Sequence, residues 1–430
     1  MNYDTDNNKE GRWSGLLWVP TLYFAEALPN LAVVTLAVIM YMDMGLGNGQ
    51  ISMLTSLLYL PWVLKFLWSP FVDILRTKRW WILAMEIALG VMFCAVALTL
   101  NTSWWLTGTL IFLWLMSFAS ATHDIAADGY YMLALTTRFQ SAFVGVRTLF
   151  YRLASVFCQG GLVYLAGHIE ETGGDAVKAW MIVFGILAVI FFVLSLYHSL
   201  VLPRPRSDAE SPYNQSGAEI WRGIVNSLVT FFRKPGLLPA IIFMLLYRLP
   251  EAQIVKLIPP FLLDSPDVGG LGLSVSDVGM VYGTFGVAGL IAGGIIGGIV
   301  ASIFGLRKVM MPMAVSMSLT CATFLYLSVV PSHPLWMVMA CVVVEQFGYG
   351  FGFTAYMLYL LYYSEGEYKT THYAICTAFM ALSILIPGLW AGYLQEAMGY
   401  AGFFVWTMGC CVATIAVAAI VKVNPEFGKK

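Results

Sequence analysis

Charge is what this sequence has least of. Asp, Glu, Lys and Arg make up only 11% of its 430 residues, where a soluble domain carries about a quarter. So few charges cannot cover a water-facing globule of this length, so most of the surface must face lipid. The formal net charge of −1 removes any case for nucleic-acid binding by charge. Paired cysteine spacing is also missing. Cys94, Cys158, Cys321, Cys341, Cys376, Cys410 and Cys411 sit inside apolar runs with no CxxC, so they read as small core residues rather than a disulfide framework or a metal site. No small-residue cleavage site follows the polar first ~12 residues, so the apolar run after them reads as an uncleaved span and not a secretory signal.

Long apolar runs are what the chain does have. A bilayer core needs about 20 apolar residues per helix. Such runs fall at 15–42, 50–72, 80–100, 104–128, 139–168, 177–202, 236–263, 275–303, 306–330, 334–362, 370–397 and 400–422. The links between them are short except 203–235, which holds Pro203, Arg204, Pro205, Arg206, Asp208 and Glu210, then Arg222, Arg233 and Lys234. This polar link, with an amphipathic stretch along Ile220, Ile224 and Leu228, divides the spans six and six. The expected organisation is therefore a bundle over 1–202, a cytoplasmic linker over 203–235 and a second bundle over 236–430.

Basic residues set the orientation, since positive loops stay in the cytoplasm. With both termini cytoplasmic, 17 of the 23 Lys and Arg lie in cytoplasmic segments and Lys178 alone lies outside. The other five, Lys65, Arg147, Arg152, Arg248 and Lys256, fall within spans. The halves also repeat at one offset. Glu26-Ala27 matches Glu251-Ala252, and Gly45-Leu46-Gly47 matches Gly270-Leu271-Gly272. Tyr131-Met132-Leu133 matches Tyr356-Met357-Leu358, and Ala166-Gly167 matches Ala391-Gly392. Each match is 225 residues apart and equivalent in topology. The fold class expected is an all-α polytopic membrane protein, with twelve helices in two pseudo-symmetric six-helix bundles. That is the plan of major facilitator transporters, whose substrate site lies between the halves near the midplane.

An ionisable group inside a span needs a partner, water or a task. Span one carries Glu26 and, one turn on, Asn30. Span four carries His123, Asp124 and Asp128, and span five Tyr151 and Arg152 with Arg147 before them. Span seven carries Arg248, Glu251 and Lys256, and span ten Glu345, Gln346 and Tyr349. Asp124 and Asp128 are four apart and share a helix face. Such a pair suits proton uptake and release, or equally a gate closed by pairing with Arg138 or Arg147. His123 points about 100° away from Asp124 and reads as a packing residue or a coupling site. Arg248 and Glu251, three apart, can pair within their helix. Lys65 and Lys256 read as snorkelling residues, with a place in the cavity as the alternative. His168, His198, His333 and His372 lie near span ends, where solvent contact is expected.

Among the many aromatics, only Tyr151 and Tyr349 stand close to in-span charges and can stack on sugar faces; most others suit packing or interface anchoring. Gly283, Gly286, Gly289, Gly293, Gly294, Gly297 and Gly298 recur at one- to four-residue steps. They form a close-packing helix face and not a phosphate loop, because no strand precedes them and no Lys-Ser/Thr follows.

Several stretches resemble one family. Val63-Leu64-Lys65-Phe66-Leu67-Trp68-Ser69-Pro70-Phe71-Val72-Asp73, followed by Lys78-Arg79-Trp80, is similar to the span two–three signature of the AmpG muropeptide permeases, a branch of the major facilitator superfamily. Ser120–Asp128 has that family's small-residue run and Asp spacing; Tyr151-Arg152-Leu153, Leu246–Ala252 with its basic-then-acidic pair, Asp277-Val278-Gly279 and Glu345 also match. The similarity extends over nearly the whole chain. It departs at Ser69, Ile74 and Arg76 in the general facilitator motif and at Ser302 in its second-half echo. His123 stands where AmpG usually has Gln, and Glu26 is an acid not expected there.

The resemblance implies an inner-membrane, proton-coupled importer of anhydromuropeptides or N-acetylglucosaminyl-anhydromuramic acid, serving cell-wall recycling. Arginines can clamp the carboxylates of such cargo bidentately. On this reading Glu26, Asn30, Tyr59, Tyr151, Arg152, Arg248, Gln346 and Tyr349 line the cargo site, while Asp124, Asp128, Glu251, Glu345 and His123 couple protons or gate. The alternatives are another sugar or glycan fragment, or an acetyl-CoA-like anion; a polytopic membrane transferase is a distant third, since no link carries a nucleophile or metal constellation. No cofactor beyond the proton gradient is implied, and a monomer in the bilayer is expected to suffice. Cysteines placed at Asn101 and Asp267 should react with an impermeant maleimide added outside the cell, and labelling from the cytoplasmic side alone would invert the topology.

Overall fold

The structure is a computed structural model that describes residues 3–135, 137–204, 217–330, 334–366, 369–424 and 427. Among these residues every regular element is helical. This follows from the solvent, because in hydrocarbon each backbone N–H and C=O must be satisfied inside its own segment. Ten helices are long and apolar enough to cross a membrane: Gly15–Asp43, Asn48–Leu67, Lys78–Thr99, Trp105–Ala134, Gly145–Glu171 and Ala176–Val201 in the first half, then Val275–Phe304, Leu306–Val329, Leu335–Ser364 and Thr371–Ile420. Val225–Phe232 and Leu237–Leu263, bent by 94° to one another, add an eleventh crossing. The fifty-residue Thr371–Ile420 is two helices joined at Gly399, whose φ of 69° no continuous helix allows. Counted in chain order these are spans one to twelve.

The sixth span shows why the surface is a lipid surface. Trp180, Phe184, Leu187 and Phe191 form a fully buried stripe at steps of four, three and four. Val189, Val193, Leu196 and Leu200 form an equally apolar stripe that is exposed. A helix apolar on both faces belongs in a bilayer. Its last turn ends on Arg79, whose Nε donates to the Leu202 carbonyl at 3.2 Å and whose guanidinium NH2 donates to Ser199 O at 2.5 Å.

The core is divided unevenly. At the end far from residues 15 and 423, one cluster runs through both halves and includes Tyr41, Phe93, Trp180, Phe261, Tyr282, Phe324 and Phe404. At the near end each half keeps its own cluster. Trp18, Tyr23, Tyr130, Tyr131 and Phe143 serve the first; Phe231, Tyr247, Met313, Tyr356 and Tyr359 serve the second. Polar contacts seal the far end as well. Asn48 Nδ2 donates to Asp264 Oδ2 (3.1 Å), Gln395 Oε1 (2.9 Å) and the Tyr400 hydroxyl (2.9 Å), and Gly49 N donates to Glu396 Oε1 at 2.7 Å. Ser52 bonds the Gly388 carbonyl, and Ser276 bonds Glu171.

The glycine face of span eight works on both sides. Gly279 and Gly283 lie against the backbone of Gly160, Gln159 and Tyr164 in span five, while Gly289 and Gly293 lie against the carbonyls of Val343 and Phe347 in span ten. Gly279–Gly286 is π-helical, as are Ala32–Leu36 in span one and Val156–Leu162 in span five.

The amphipathic stretch of the linker is a helix, Gly217–Phe232, turned into span seven at Gly236, where φ is 73°. Residues 205–216 of the linker lie outside the described residues. Lys234 Nζ ties its end to the carbonyls of Tyr363 (2.6 Å) and Glu365 (2.8 Å). His372, expected to meet solvent, is instead buried beneath this helix, with Nε2 3.1 Å from Ser227 O and 3.2 Å from Thr230 Oγ1. The helix covers a span end that the hydropathy pattern leaves open.

A Cβ at position 283 would press on the Gln159 and Gly160 backbone, whereas one at Gly298 meets nothing within 4 Å. Gly283→Val should therefore lose roughly 1–3 kcal/mol by overpacking, and Gly298→Val should lose little. Equal melting temperatures for the two purified variants would disprove the close approach of spans five and eight.

Candidate functional site

Span seven is broken where its charges lie. Helices Leu237–Leu246 and Leu249–Leu263 meet at Arg248, which has non-helical backbone angles (φ −100°, ψ 10°). Pro250 in the first turn after the break has no N–H to continue the ladder. Glu251 occupies that same turn, where a helix N-terminus favours a carboxylate. The sequence leads to a continuous span here; the proline makes it two. The expected pair forms all the same. Arg248 Nε donates to Glu251 Oε2 at 3.0 Å and its NH2 lies 2.9 Å from the same oxygen, with each residue 3% exposed.

Arg248 does more than pair. Its NH2 donates to the Tyr349 hydroxyl at 2.9 Å, and its guanidinium lies 4.8 Å from the Phe353 ring centroid and 5.5 Å from that of Tyr349. A planar cation held by a carboxylate, a phenol and two ring faces is oriented as well as neutralised. Glu345 is buried beside it and accepts from Gln346 Nε2 at 2.8 Å. Tyr59 and Arg152 of the first half lie within electrostatic range of Tyr349, as do Arg248 and Glu251. Asn30 lies against the Tyr59 hydroxyl, and Tyr151 lies near Tyr59, Arg152 and Glu26. The structure thus gathers Asn30, Tyr59, Tyr151, Arg152, Arg248 and Tyr349 between the halves. Among the described residues Arg152 has no ion pair or side-chain hydrogen bond, and it is half-buried.

A second set belongs to the first half alone. Asp128 accepts from Arg147 at 2.7 Å and from the Tyr23 hydroxyl at 3.2 Å, with Arg147 stacked 4.2 Å from the Tyr23 ring centroid. Asp124 accepts from Trp62 Nε1 at 3.2 Å and faces Lys65 Nζ at 3.9 Å. The two carboxylates share a helix but hold different partners. Arg138, the other expected partner, has its side chain outside the described residues. Glu26 sits between them, within range of Asp124, Asp128, Arg147 and Lys65, with Oε2 buried and unbonded.

Two sequence expectations need correction. Lys256 does not snorkel. It is 2% exposed, and Nζ donates to Thr55 Oγ1 of the other half at 3.1 Å. Its stem is enclosed because spans two, seven and eleven converge at Gly388. His198 does not meet solvent either. It is fully buried, with Nδ1 2.5 Å from Glu86 Oε1 and Nε2 2.9 Å from Thr21 Oγ1. Glu86, in span three, is a fully buried acid that the charge survey passes over; a lone acid inside the apolar run 80–100 was the available signal. His123 joins it, with Nε2 3.5 Å from the same Oε1.

An all-helical bundle of this kind, with charged residues facing one another between two halves, has the fold of major facilitator transporters. The Major Facilitator Superfamily model matches residues 253–430. Solved structures with the same fold include a bacterial homologue of the human lysosomal transporter Spinster in an inward-facing conformation (TM-score 0.70, 17% identity, 94% of this chain and 95% of that one). The nucleoside transporter NupG is another (TM-score 0.71, 17% identity, 94% and 98%). In sequence the chain is AmpG-like. It is 24% identical over 358 residues to the putative transporter AmpG 4 of Rickettsia conorii, covering 81% of this chain and 82% of that relative. It is also 24% identical over 379 residues to the anhydromuropeptide permease of Escherichia coli K12, covering 86% and 72%.

The two ion pairs differ in setting. Asp128 and Arg147 expose 43% and 35% of their side chains, so Asp128→Asn should change stability by under about 1 kcal/mol. Glu251→Leu strands a buried guanidinium and should cost about 3–5 kcal/mol. Thermal unfolding of both variants in detergent checks this, and similar losses would mean that the Arg248 pair is solvated.

Proposed function

We propose that this protein is a proton-coupled importer of the bacterial inner membrane whose cargo is an anhydromuropeptide or N-acetylglucosaminyl-anhydromuramic acid. On this reading both termini and the 203–235 linker are cytoplasmic, and bundles 1–202 and 236–430 rock about the cargo. The observation that carries it is the uncommitted Arg152 of one half opposite the Arg248–Glu251 pair of the other. Similarity to AmpG relatives supports the cargo class, since a lactyl or peptide carboxylate suits two arginines and sugar rings suit Tyr59, Tyr151 and Tyr349.

Arg248 can hold either Glu251 or an anionic cargo, and this choice supplies coupling. When cargo draws the guanidinium away, Glu251 is left buried without its counter-ion, and a proton neutralises it. When cargo leaves, the pair re-forms and the proton departs. Asn30 and Gln346 add neutral donors and acceptors; Glu345, Asp124 and Asp128 carry that proton onward or hold the gate, with Glu26 between the last two. The proton gradient is the only driving agent required. The closed far end is, in this orientation, the periplasmic side.

Proteoliposomes loaded with a pH gradient and offered labelled muropeptide, the disaccharide, simple sugars and acetyl-CoA test the reading. Arg152→Lys or Arg248→Lys should each lower kcat/KM about 10- to 100-fold, the loss of one charged bidentate contact of about 1.5–3 kcal/mol. Glu251→Gln should lose pH-driven accumulation yet still exchange cargo. Normal accumulation by Glu251→Gln would remove that residue from coupling, and preferential uptake of acetyl-CoA would replace the cargo class.

A further inference from the structure

Behind the carboxylates of span four, inside the first bundle, three titratable side chains converge out of reach of water. Glu86, His123 and His198 come from spans three, four and six, and are 0%, 1% and 0% exposed. Both imidazoles face one oxygen. His198 Nδ1 lies 2.5 Å from Glu86 Oε1, and His123 Nε2 lies 3.5 Å from that same atom.

The hydrogen bonds fix where one proton must be. Thr21 Oγ1 lies 3.2 Å from the Trp18 carbonyl and 2.9 Å from His198 Nε2. With its hydrogen given to the carbonyl it accepts an N–H from Nε2. Its Nδ1 then faces a carboxylate oxygen at 2.5 Å, and two lone pairs cannot approach so closely. A proton lies between them, whether it is assigned to nitrogen or to oxygen. His123 is the opposite case. Neither of its ring nitrogens has a hydrogen-bond partner, and neither does Glu86 Oε2. A buried imidazole left unbonded beside a shared proton is a vacant second seat for it.

We propose that Glu86, His123 and His198 form a proton-sharing centre in which Glu86 is the positioning residue. One proton passes between the two imidazoles across Glu86 Oε1. The bond to hydrogen at the Glu86–His198 contact breaks as an N–H forms at His123 Nε2, whose own hydrogen is then on Nδ1, so the number of protons and the net charge of the cluster are the same in both states. With the proton on His198, span six is fastened to span three and span four is free at 3.5 Å. With it on His123, span four is drawn to span three instead. Span four also carries Asp124, one residue on and within electrostatic range of His123, and so the centre sets where the cavity carboxylates stand.

The groups facing the centre are few. The titratable side chains that face Glu86 Oε1 are the two imidazoles. Span four adds Asp124, span one adds Thr21 and, toward Asp124, Glu26, and span three adds Arg79 at the Ser199 and Leu202 carbonyls beyond His198. Among the described residues no set of three or more His, Cys, Asp or Glu is disposed to hold a metal ion, so the convergence is read as a proton site.

The consequence for transport rests on the proton-coupled reading above, but the centre itself is tested without cargo. The whole protein, labelled with ¹⁵N-histidine and held in lipid nanodiscs, is read by NMR, since the ring-nitrogen shifts report where each hydrogen sits. The signals of His123 Nε2 and His198 Nδ1 should both fall between those of a bare and a protonated nitrogen, as a shared proton requires. In His123→Gln, which breaks no hydrogen bond, the His198 signal should move to that of an unshared site. In Glu86→Gln the two histidines should give ordinary, unshared signals. Unshared signals in the unaltered protein, or an unmoved His198 signal in His123→Gln, overturn the proposal. A second arm measures pH-driven accumulation of labelled N-acetylglucosaminyl-anhydromuramic acid, which His123→Gln should lower about tenfold, a change of about 1.4 kcal/mol. No uptake by the unaltered protein would overturn the cargo reading while the NMR signals still decide the centre.

Discussion

An ionised side chain placed in hydrocarbon must find an opposite charge, a set of dipoles or water, and this requirement organises the interior. Arg248 takes Glu251, a phenol and two ring faces; Arg147 takes Asp128 and Tyr23. Lys65 faces Asp124, and Glu86 takes His198. Each pairing joins two spans except Arg248–Glu251, which closes within one. That exception follows from residues three apart sharing a helix face, and the break at Arg248 puts Glu251 in the first turn of the following helix. The result is a buried cation whose charge partner lies on its own span, with aromatic faces of span ten around it.

Much of this was readable from residues alone, for reasons that differ by element. Apolar runs report spans directly because the bilayer tolerates little else. The Arg248–Glu251 and Asp128–Arg147 pairs were readable because three- and four-residue spacing, or charge near a neighbouring span's end, limits the choices. Lys256 was misread because snorkelling assumes a free path to the interface, and three converging spans block it. His198 and Glu86 are 112 residues apart, and no periodicity links them. Only tertiary packing places a histidine near a span end beneath a neighbouring helix. His372 failed for the same reason, covered by the amphipathic helix Gly217–Phe232.

The two ends of the molecule obey different rules. At the far end the halves share one apolar core and a polar seam from Asn48 to Tyr400; at the near end each half closes on its own aromatics. Nearer the middle the halves also meet in a small apolar cluster, Val63 of span two against Ala381 and Leu385 of span eleven, so the near end is not wholly divided. The far-end seam is built from hydroxyls, amides and carboxylates that water can take over when it opens. The apolar part of that interface is narrow where it depends on glycine, since backbones meeting directly have little side-chain surface to uncover.

Span eight lies on the boundary between these arrangements. Its first turns are packed by Gly279 and Gly283 onto span five of the opposite half, and its later turns by Gly289 and Gly293 onto span ten of its own. Any rocking of one half against the other therefore pulls the two ends of this single helix in different directions. The stress falls on Gly279–Gly286, where the ladder is π-helical and its wider turns are less well bonded than an α-helix. If the halves rock as proposed, span eight flexes within its own length while the glycine contacts on either side stay engaged.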